Sequence, residues 1–500
     1  MGPLAETRSS LQARRLGVPA WCAGAVAVLT FLAGVRHAAA GDARRTAVSD
    51  TTSAVPSTHP TALRSKADRP VPPPPGPAAP IAPPEQGKCI RVRADGRVFV
   101  ARVHGQNAEQ TSVYLPDGQL GFARGLAYTD EPFRPATFDE MRRDLQAGQF
   151  KDFVVHQTPH YLIFYQSSAT FATDSGRLLE ALYKGISDAF RKQDVPTRDA
   201  EFPLVAVIFR DEKDFRAFKP VAPEVQAYYE ILTNRIYFYE RSTHDQAAPE
   251  VAALRRPQTV AHEGTHQILS NIGIQPRLGA WPMWLVEGLA EYCSPPITTK
   301  KGEIAWKGLG EVNPMHMATI RDLDDQAALN VGSGDRPLLG RDPRQPLVEY
   351  VVTKEELTPT DYALAWAVTH YLAHHRLKEF VAFLAKMSTM PPLEPRSPEQ
   401  HLAEFRAAFG NDLVKLNKAI GTYLAKLKYK ELPYYAVFFE QPMGPNRLRR
   451  AAMVSQSPLV IRQWIETVTN PQGGESHWEA HPLSTRTKAM IYADQWLRSR

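Results

Sequence analysis

Three cysteines in 500 residues are too few to staple a fold, so this chain has to be held by its core. Cys22 lies in an N-terminal apolar segment, which leaves Cys89 and Cys293 as one pair whose state the sequence leaves open. Neither CxxC pairs nor Cys/His runs occur, so any bound metal must rest on histidines and carboxylates. No GxSxG elbow, P-loop or GxGxxG follows a strand pattern, which removes the commonest nucleophile and nucleotide signatures. The net charge of +6 is mild and the basic residues are scattered. Without a basic stripe interleaved with aromatics, nucleic-acid binding has no support. Beyond the first forty residues no apolar run is long enough to span a bilayer. What remains, 43% hydrophobic and 22% charged residues, is the composition of a protein with a sizeable core.

The order of segments suggests export followed by a tether. Arg8, Arg14 and Arg15 precede an apolar stretch from Leu16 to Val35, which ends in Ala38-Ala39-Ala40-Gly41. That is the pattern of a signal peptide, or of a retained anchor, over residues 1–40. Either way the rest of the chain is expected outside the cytoplasm, secreted, periplasmic or N-terminally anchored. Residues 41–88, with Pro72-Pro73-Pro74-Pro75-Gly76-Pro77, lack apolar periodicity and read as an extended linker. From Cys89 the pattern alternates through Ile90, Val92, Val98 and Val100, with Asp95-Gly96 and Asp117-Gly118 at hairpin positions. Residues 89–135 therefore form a small β-module, SH3-like in expectation. The main domain, 136–430, opens with strand patterns at Tyr161–Tyr165, Leu204–Phe209 and Arg235–Tyr239 and continues with helical ones. Strands first and helices after argue an α+β arrangement, its N-terminal sheet mixed or antiparallel and its C-terminal part helical. Residues 431–500 read as a helical extension, through Leu459–Val468 and Arg486–Leu497.

Chemistry concentrates in two short stretches. The first is His262-Glu263-Gly264-Thr265-His266, with Pro257 and Thr259 upstream and Gly273 downstream as helix start and stop signals. Residues four apart on a helix share a face, so both imidazoles can reach one ion at about 2.0–2.1 Å. Glu263, about 100° round the helix, can reach a water there without taking a coordination place. The second stretch, which places twenty residues between His266 and Glu287, is Trp284-Leu285-Val286-Glu287-Gly288-Leu289-Ala290-Glu291-Tyr292, a helix beginning after Pro282. Two carboxylates on its apolar face are costly unless something positive meets them, and a cation held by the histidines supplies that charge. The expectation is one Zn2+ on His262, His266 and Glu287, with Glu291 accepting from the free ring nitrogen of a ligand histidine. Cys293 reads as a packed thiol, and His374-His375 as an exposed helix end.

HEGTH followed by WLVEGLAEY resembles the gluzincin peptidases, whose HExxH precedes a helix carrying a third, glutamate ligand. The second motif is similar to the WLxEGxA element of the M1-aminopeptidase-like and peptidase-MA-like branches. His160 through Leu427, a little over half the chain, also resembles an uncharacterised bacterial extracytoplasmic family of that branch. The likeness includes Tyr362-Ala363-Leu364-Ala365-Trp366-Ala367 and Phe405 to Gly410. The resemblance implies a thermolysin-like fold, one zinc and hydrolysis of peptide bonds in a protein or peptide substrate. The chain departs from the M1 pattern in three respects. The interval from His266 to Glu287 is longer by two residues, no GxMEN element is present, and Gly264 replaces a better helix former. The missing GxMEN element puts aminopeptidase specificity in doubt.

On this reading Glu263 is the general base, and a further donor must face the oxyanion. Tyr362 is the candidate by resemblance, His370 its rival, and Arg235–Tyr239, read as an edge-like strand, could pair with an extended substrate. The competing expectation is a non-catalytic binding or surface-assembly protein that keeps the fold. A third is a zinc hydrolase acting on other amide bonds of the cell envelope. A partner membrane enters only through the N-terminal anchor.

Overall fold

The computed structural model describes residues 5–8 and 87–499, apart from short stretches of which 299–303 and 331–344 are the longest. The apolar run Leu16–Val35, Cys22 and the linker up to residue 86 lie outside the described residues. Among those described, no helix is long and apolar enough to cross a membrane. The fold is mixed α+β, with several sheets and a helical part toward the C-terminus.

The alternating segment forms a closed barrel. Strands β2 (Cys89–Ala94), β3 (Arg97–Gln106), β4 (Thr111–Tyr114) and β5 (Leu120–Ala123) pair antiparallel, and β1 (Ala5–Arg8) closes the ring between β2 and β5. Ile90, Val92, Ala101, Val103 and Val113 fill it. Gly96 and Gly118 lie in turns, at φ 76° and φ 78°, a region that favours glycine.

The barrel abuts a five-stranded sheet in the order β6 (Val154–Gln157), β7 (Tyr161–Tyr165), β8 (Leu204–Asp211), β10 (Arg235–Arg241), β9 (Ala227–Glu230). β7, β8 and β10 run parallel, and both edge strands run antiparallel, so the sheet is mixed. The centre is buried on two faces, which is why Leu204–Phe209 reads as an uninterrupted apolar run. Leu204, Ala206 and Ile208 face the large helical core, while Val205, Val207 and Phe209 face a second cluster with Phe150 and Phe215. Arg235–Tyr239, expected at an edge, lies inside the sheet because β9 hydrogen-bonds along its outer side. The short Ala-Tyr-Tyr-Glu strand β9 carries too little alternation to be seen in the sequence.

Two further boundaries differ from expectation. The helix bearing HEGTH, here the di-histidine helix, runs Pro249–Asn271 with Pro257 inside it. Pro249 takes the first turn, where its missing N–H costs nothing, and the good helix formers Ala252, Ala253, Leu254 and Arg255 carry the chain past Pro257. The C-terminal 431–500 segment is not purely helical. Tyr434–Pro442 lies between Leu448–Ser455 and His477–Leu483 in an antiparallel sheet, with helices Pro458–Val468 and Arg486–Arg498. Its central strand, rich in Tyr, Phe and Val, has β propensity, but the outer strands are largely solvated and show little pattern.

Met283–Cys293, the glutamate helix, is buried along almost its whole length. It lies against Pro359–His375, the tyrosine helix, through a small-residue contact. A Cβ built at Gly288 would stand 2.3 Å from Thr369 Oγ1 and 2.8 Å from the Ala365 carbonyl oxygen. Gly264 does the same for the helix Ala169–Arg191, since a Cβ there would stand 2.6 Å from Leu179 Cδ2. The glycine that weakens HEGTH as a helix thus lets a neighbouring helix come close. Gly288→Ala should force the glutamate and tyrosine helices apart and cost about 1–3 kcal/mol, read as a lower urea midpoint with unchanged m-value.

Candidate metal centre

His262 and His266 project from one face of the di-histidine helix, four residues apart, and Glu287 meets them from the glutamate helix. His262 Nε2 stands 3.1 Å from Glu287 Oε2 and 3.1 Å from His266 Nε2, and His266 Nε2 stands 3.4 Å from Glu287 Oε2. These three edges match the ligand–ligand separations of about 3.3 Å in a tetrahedral site of 2.0–2.1 Å radius. Among the described residues, this is the group of histidine and acidic side chains able to hold a metal ion. All three are buried. Two imidazoles and one carboxylate suit a borderline divalent cation such as zinc, and three protein ligands leave a fourth place open.

Behind the ligands lies a buried network. His262 Nδ1 faces Glu291 Oε1 at 3.1 Å, so a proton on Nδ1 leaves the Nε2 lone pair pointing at the site. Glu291 Oε2 also lies 2.7 Å from His316 Nε2 and accepts from Gln258 Nε2 at 3.1 Å. His316 was not foreseen. It sits in the first turn of helix Pro314–Asn330, where Asn313 accepts from its backbone N–H. Asn313-Pro314 is a helix start signal, but nothing in the spacing ties His316 to Glu291.

Glu263 is wholly buried on another flank of the same helix. Its Oε2 accepts the Tyr229 backbone N–H of edge strand β9 at 2.7 Å, and its Oε1 has no hydrogen-bond partner. Burial pushes its carboxyl up to about 7, against the pull of His262 and His266. Burial would likewise raise Glu287, but His266 and then His262 outweigh it and hold it at about 2. Glu291 is held still lower, as His316 and His262 overcome its desolvation. Desolvation disfavours a charged His262, yet Glu291 and Glu287 reverse that and raise it well above its ordinary value. A cation entering the site would therefore displace a proton.

Tyr362 is buried on the tyrosine helix, its ring centroid 6.2 Å from that of His262. His370 is engaged elsewhere: its Nε2 donates to the Gly310 carbonyl at 3.0 Å and its Nδ1 accepts from the Tyr423 hydroxyl at 2.7 Å. Both ring nitrogens serve packing, and burial lowers its pKa to about 4. Cys89 and Cys293 are free, and burial raises the Cys293 thiol pKa, which fits a packed thiol. His374 and His375 are exposed at their helix end.

A family described as "Protein of unknown function (DUF1570)" matches residues 257–394. The matched span takes in the later part of the di-histidine helix, the glutamate helix, His316 and Tyr362. No curated protein matches the sequence.

The titrating groups set a pH dependence for chelator-treated protein. Glu287 and Glu291, with lowered pKa values, contribute stability above about 4.5 that is lost as pH falls through their folded values. His262, with a raised pKa, contributes stability below about 6.5 that is lost as pH rises through its folded value. Glu263, raised to about 7, adds a loss of its own as pH rises from about 4.5 to about 7. Chelator-treated protein should therefore be most stable near about pH 5 and weaken toward pH 8. Added zinc should reverse the alkaline loss in thermal melts at pH 8.

Proposed function

We propose that this protein is a zinc-dependent peptidase of the gluzincin type, acting outside the cytoplasm on peptide bonds. The observation that carries the reading is the convergence of His262, His266 and Glu287 beside a buried Glu263 whose Oε1 has no partner. Zinc held there supplies Lewis acidity toward a water and a carbonyl oxygen. Glu263 Oε1, buried and unpartnered beside the site, is the atom that takes the proton and later returns it. Tyr229, through its backbone N–H, keeps Oε2 occupied and so aims Oε1. Glu291, backed by His316 and Gln258, orients the His262 ring. Tyr362, packed against His262, is the hydroxyl proposed to donate to the developing oxyanion. An extended substrate would pair with edge strand β9, in place of the strand expected from sequence.

The competing reading is a non-catalytic metal-binding protein with the same fold. A cation of purely structural role needs no fourth acidic group, and burying Glu263 with one oxygen unpartnered costs stability that such a role would not offset. The site therefore favours catalysis.

Three substitutions separate the roles. Glu263→Gln should retain about one zinc by elemental analysis and lose roughly 10²–10⁴-fold in kcat on an unstructured protein such as casein. Glu287→Ala should lose the metal itself, and full occupancy in that variant would sink the ligand assignment. Glu291→Gln should weaken zinc affinity by roughly 10–100-fold in a chelator competition while preserving the fold.

A further inference from the structure

The helix that carries Glu263 continues the same polar line for two more turns. Glu263, Gln267 and Asn271 are spaced at i, i+4 and i+8, and all three are buried. A buried polar stripe on a core helix is costly unless each group is met. Here the edge hairpin β9–β10 reaches all three side chains, while Glu263 Oε1 and Gln267 Oε1 are left without a hydrogen-bond partner. Glu263 takes the Tyr229 N–H at 2.7 Å. Gln267 Nε2 donates to the Asn234 carbonyl at 2.7 Å and to Val205 O at 3.1 Å. Asn271 and Asn234 bond reciprocally: each Nδ2 donates to the other's Oδ1, at 2.8 and 2.9 Å. Asn234 Oδ1 also accepts the Tyr229 hydroxyl at 2.9 Å.

The hairpin turn is held from its other side as well. The Leu120 N–H of the barrel donates to Leu232 O at 2.7 Å, and Ile231 and Leu232 pack with Leu120, Leu278 and Leu393. Asn234 itself is left-handed, at φ 59°, a conformation its short amide tolerates. Asn234 then leads directly into β10, where Arg235 pairs with Glu230 and Ile236 with Tyr229. Fixing Asn234 along the helix therefore fixes Tyr229 along it too.

We propose that Asn234 and Asn271 are positioning residues: a two-amide lock that sets where the edge strand stands along the di-histidine helix. The lock determines whether the Tyr229 N–H reaches Glu263 and, if the peptidase reading holds, which peptide unit of a paired substrate faces that carboxylate. A strand with side chains alternating across its faces cannot slip by one residue without presenting the opposite set. The clamp thus acts on register, and it acts through Tyr229.

Two variants test it. Asn234→Gly keeps the left-handed turn free of strain and deletes the amide. Asn271→Leu deletes the other half with similar volume. Three measurements are read on the zinc-loaded full chain: amide hydrogen exchange, zinc stoichiometry, and casein hydrolysis with the cleavage sites mapped. The expected result is exchange quickened about tenfold or more at Tyr228–Glu230, with Val205–Ile208 still protected and zinc unchanged. The kcat should fall about tenfold or more with KM little altered, and the cleavage sites should shift. Unchanged exchange at the edge strand in both variants would overturn the lock. So would a loss of protection spread equally through β8, because the pair would then be ordinary core packing. Wild type that cleaves nothing, with the local quickening still present, would dismiss the peptidase reading and leave the lock standing.

Discussion

Everything at the centre of this molecule depends on compensating charge between two buried helices. Glu287 and Glu291 project from an otherwise apolar helix, and neither has access to water. Isolated, each would be expensive to ionise in such a place. His262 and His266 from the facing helix, with His316 behind, make ionisation favourable. In the same arrangement three facing atoms of His262, His266 and Glu287 stand 3.1 to 3.4 Å apart, a spacing at which they could hold one metal ion. Helix packing and site chemistry are therefore one constraint here.

That constraint needs close helices, and small residues provide them. Gly288 brings the glutamate helix against the tyrosine helix, which also delivers Tyr362 to His262. Gly264, between the two histidines, admits Leu179 and Leu182 from the helix Ala169–Arg191. Each glycine looks like a weakness in its own helix, by about 1 kcal/mol relative to alanine. Each is explained by what comes near it.

The sequence disclosed the parts whose spacing is local. The four-residue intervals His262–His266 and Glu287–Glu291 gave each pair a common face, and Pro282 marked where the second helix begins. The alternation after Cys89 and its two Asp-Gly turns located the small β-module, though not the closing strand Ala5–Arg8. Contacts made across the fold left no such trace. His316 reaches Glu291 from a helix with no periodic link to it. Edge strand β9 is four residues long, and without it Arg235–Tyr239 passed for an edge. Pro257 passed for a helix start because an interior proline costs one hydrogen bond, and the sequence does not say whether flanking turns offset that loss. The Asn234–Asn271 pairing joins residues 37 apart and was invisible for the same reason.

The restraint on Glu263 is a main-chain group, and that has a genetic consequence. Side-chain replacement at position 229 leaves the donor in place, and only proline abolishes it. A mutational scan built on alanine would score Tyr229 for its phenol alone and miss its amide. Backbone-ester substitution, which exchanges that single N–H for oxygen, is the perturbation to which this position would answer.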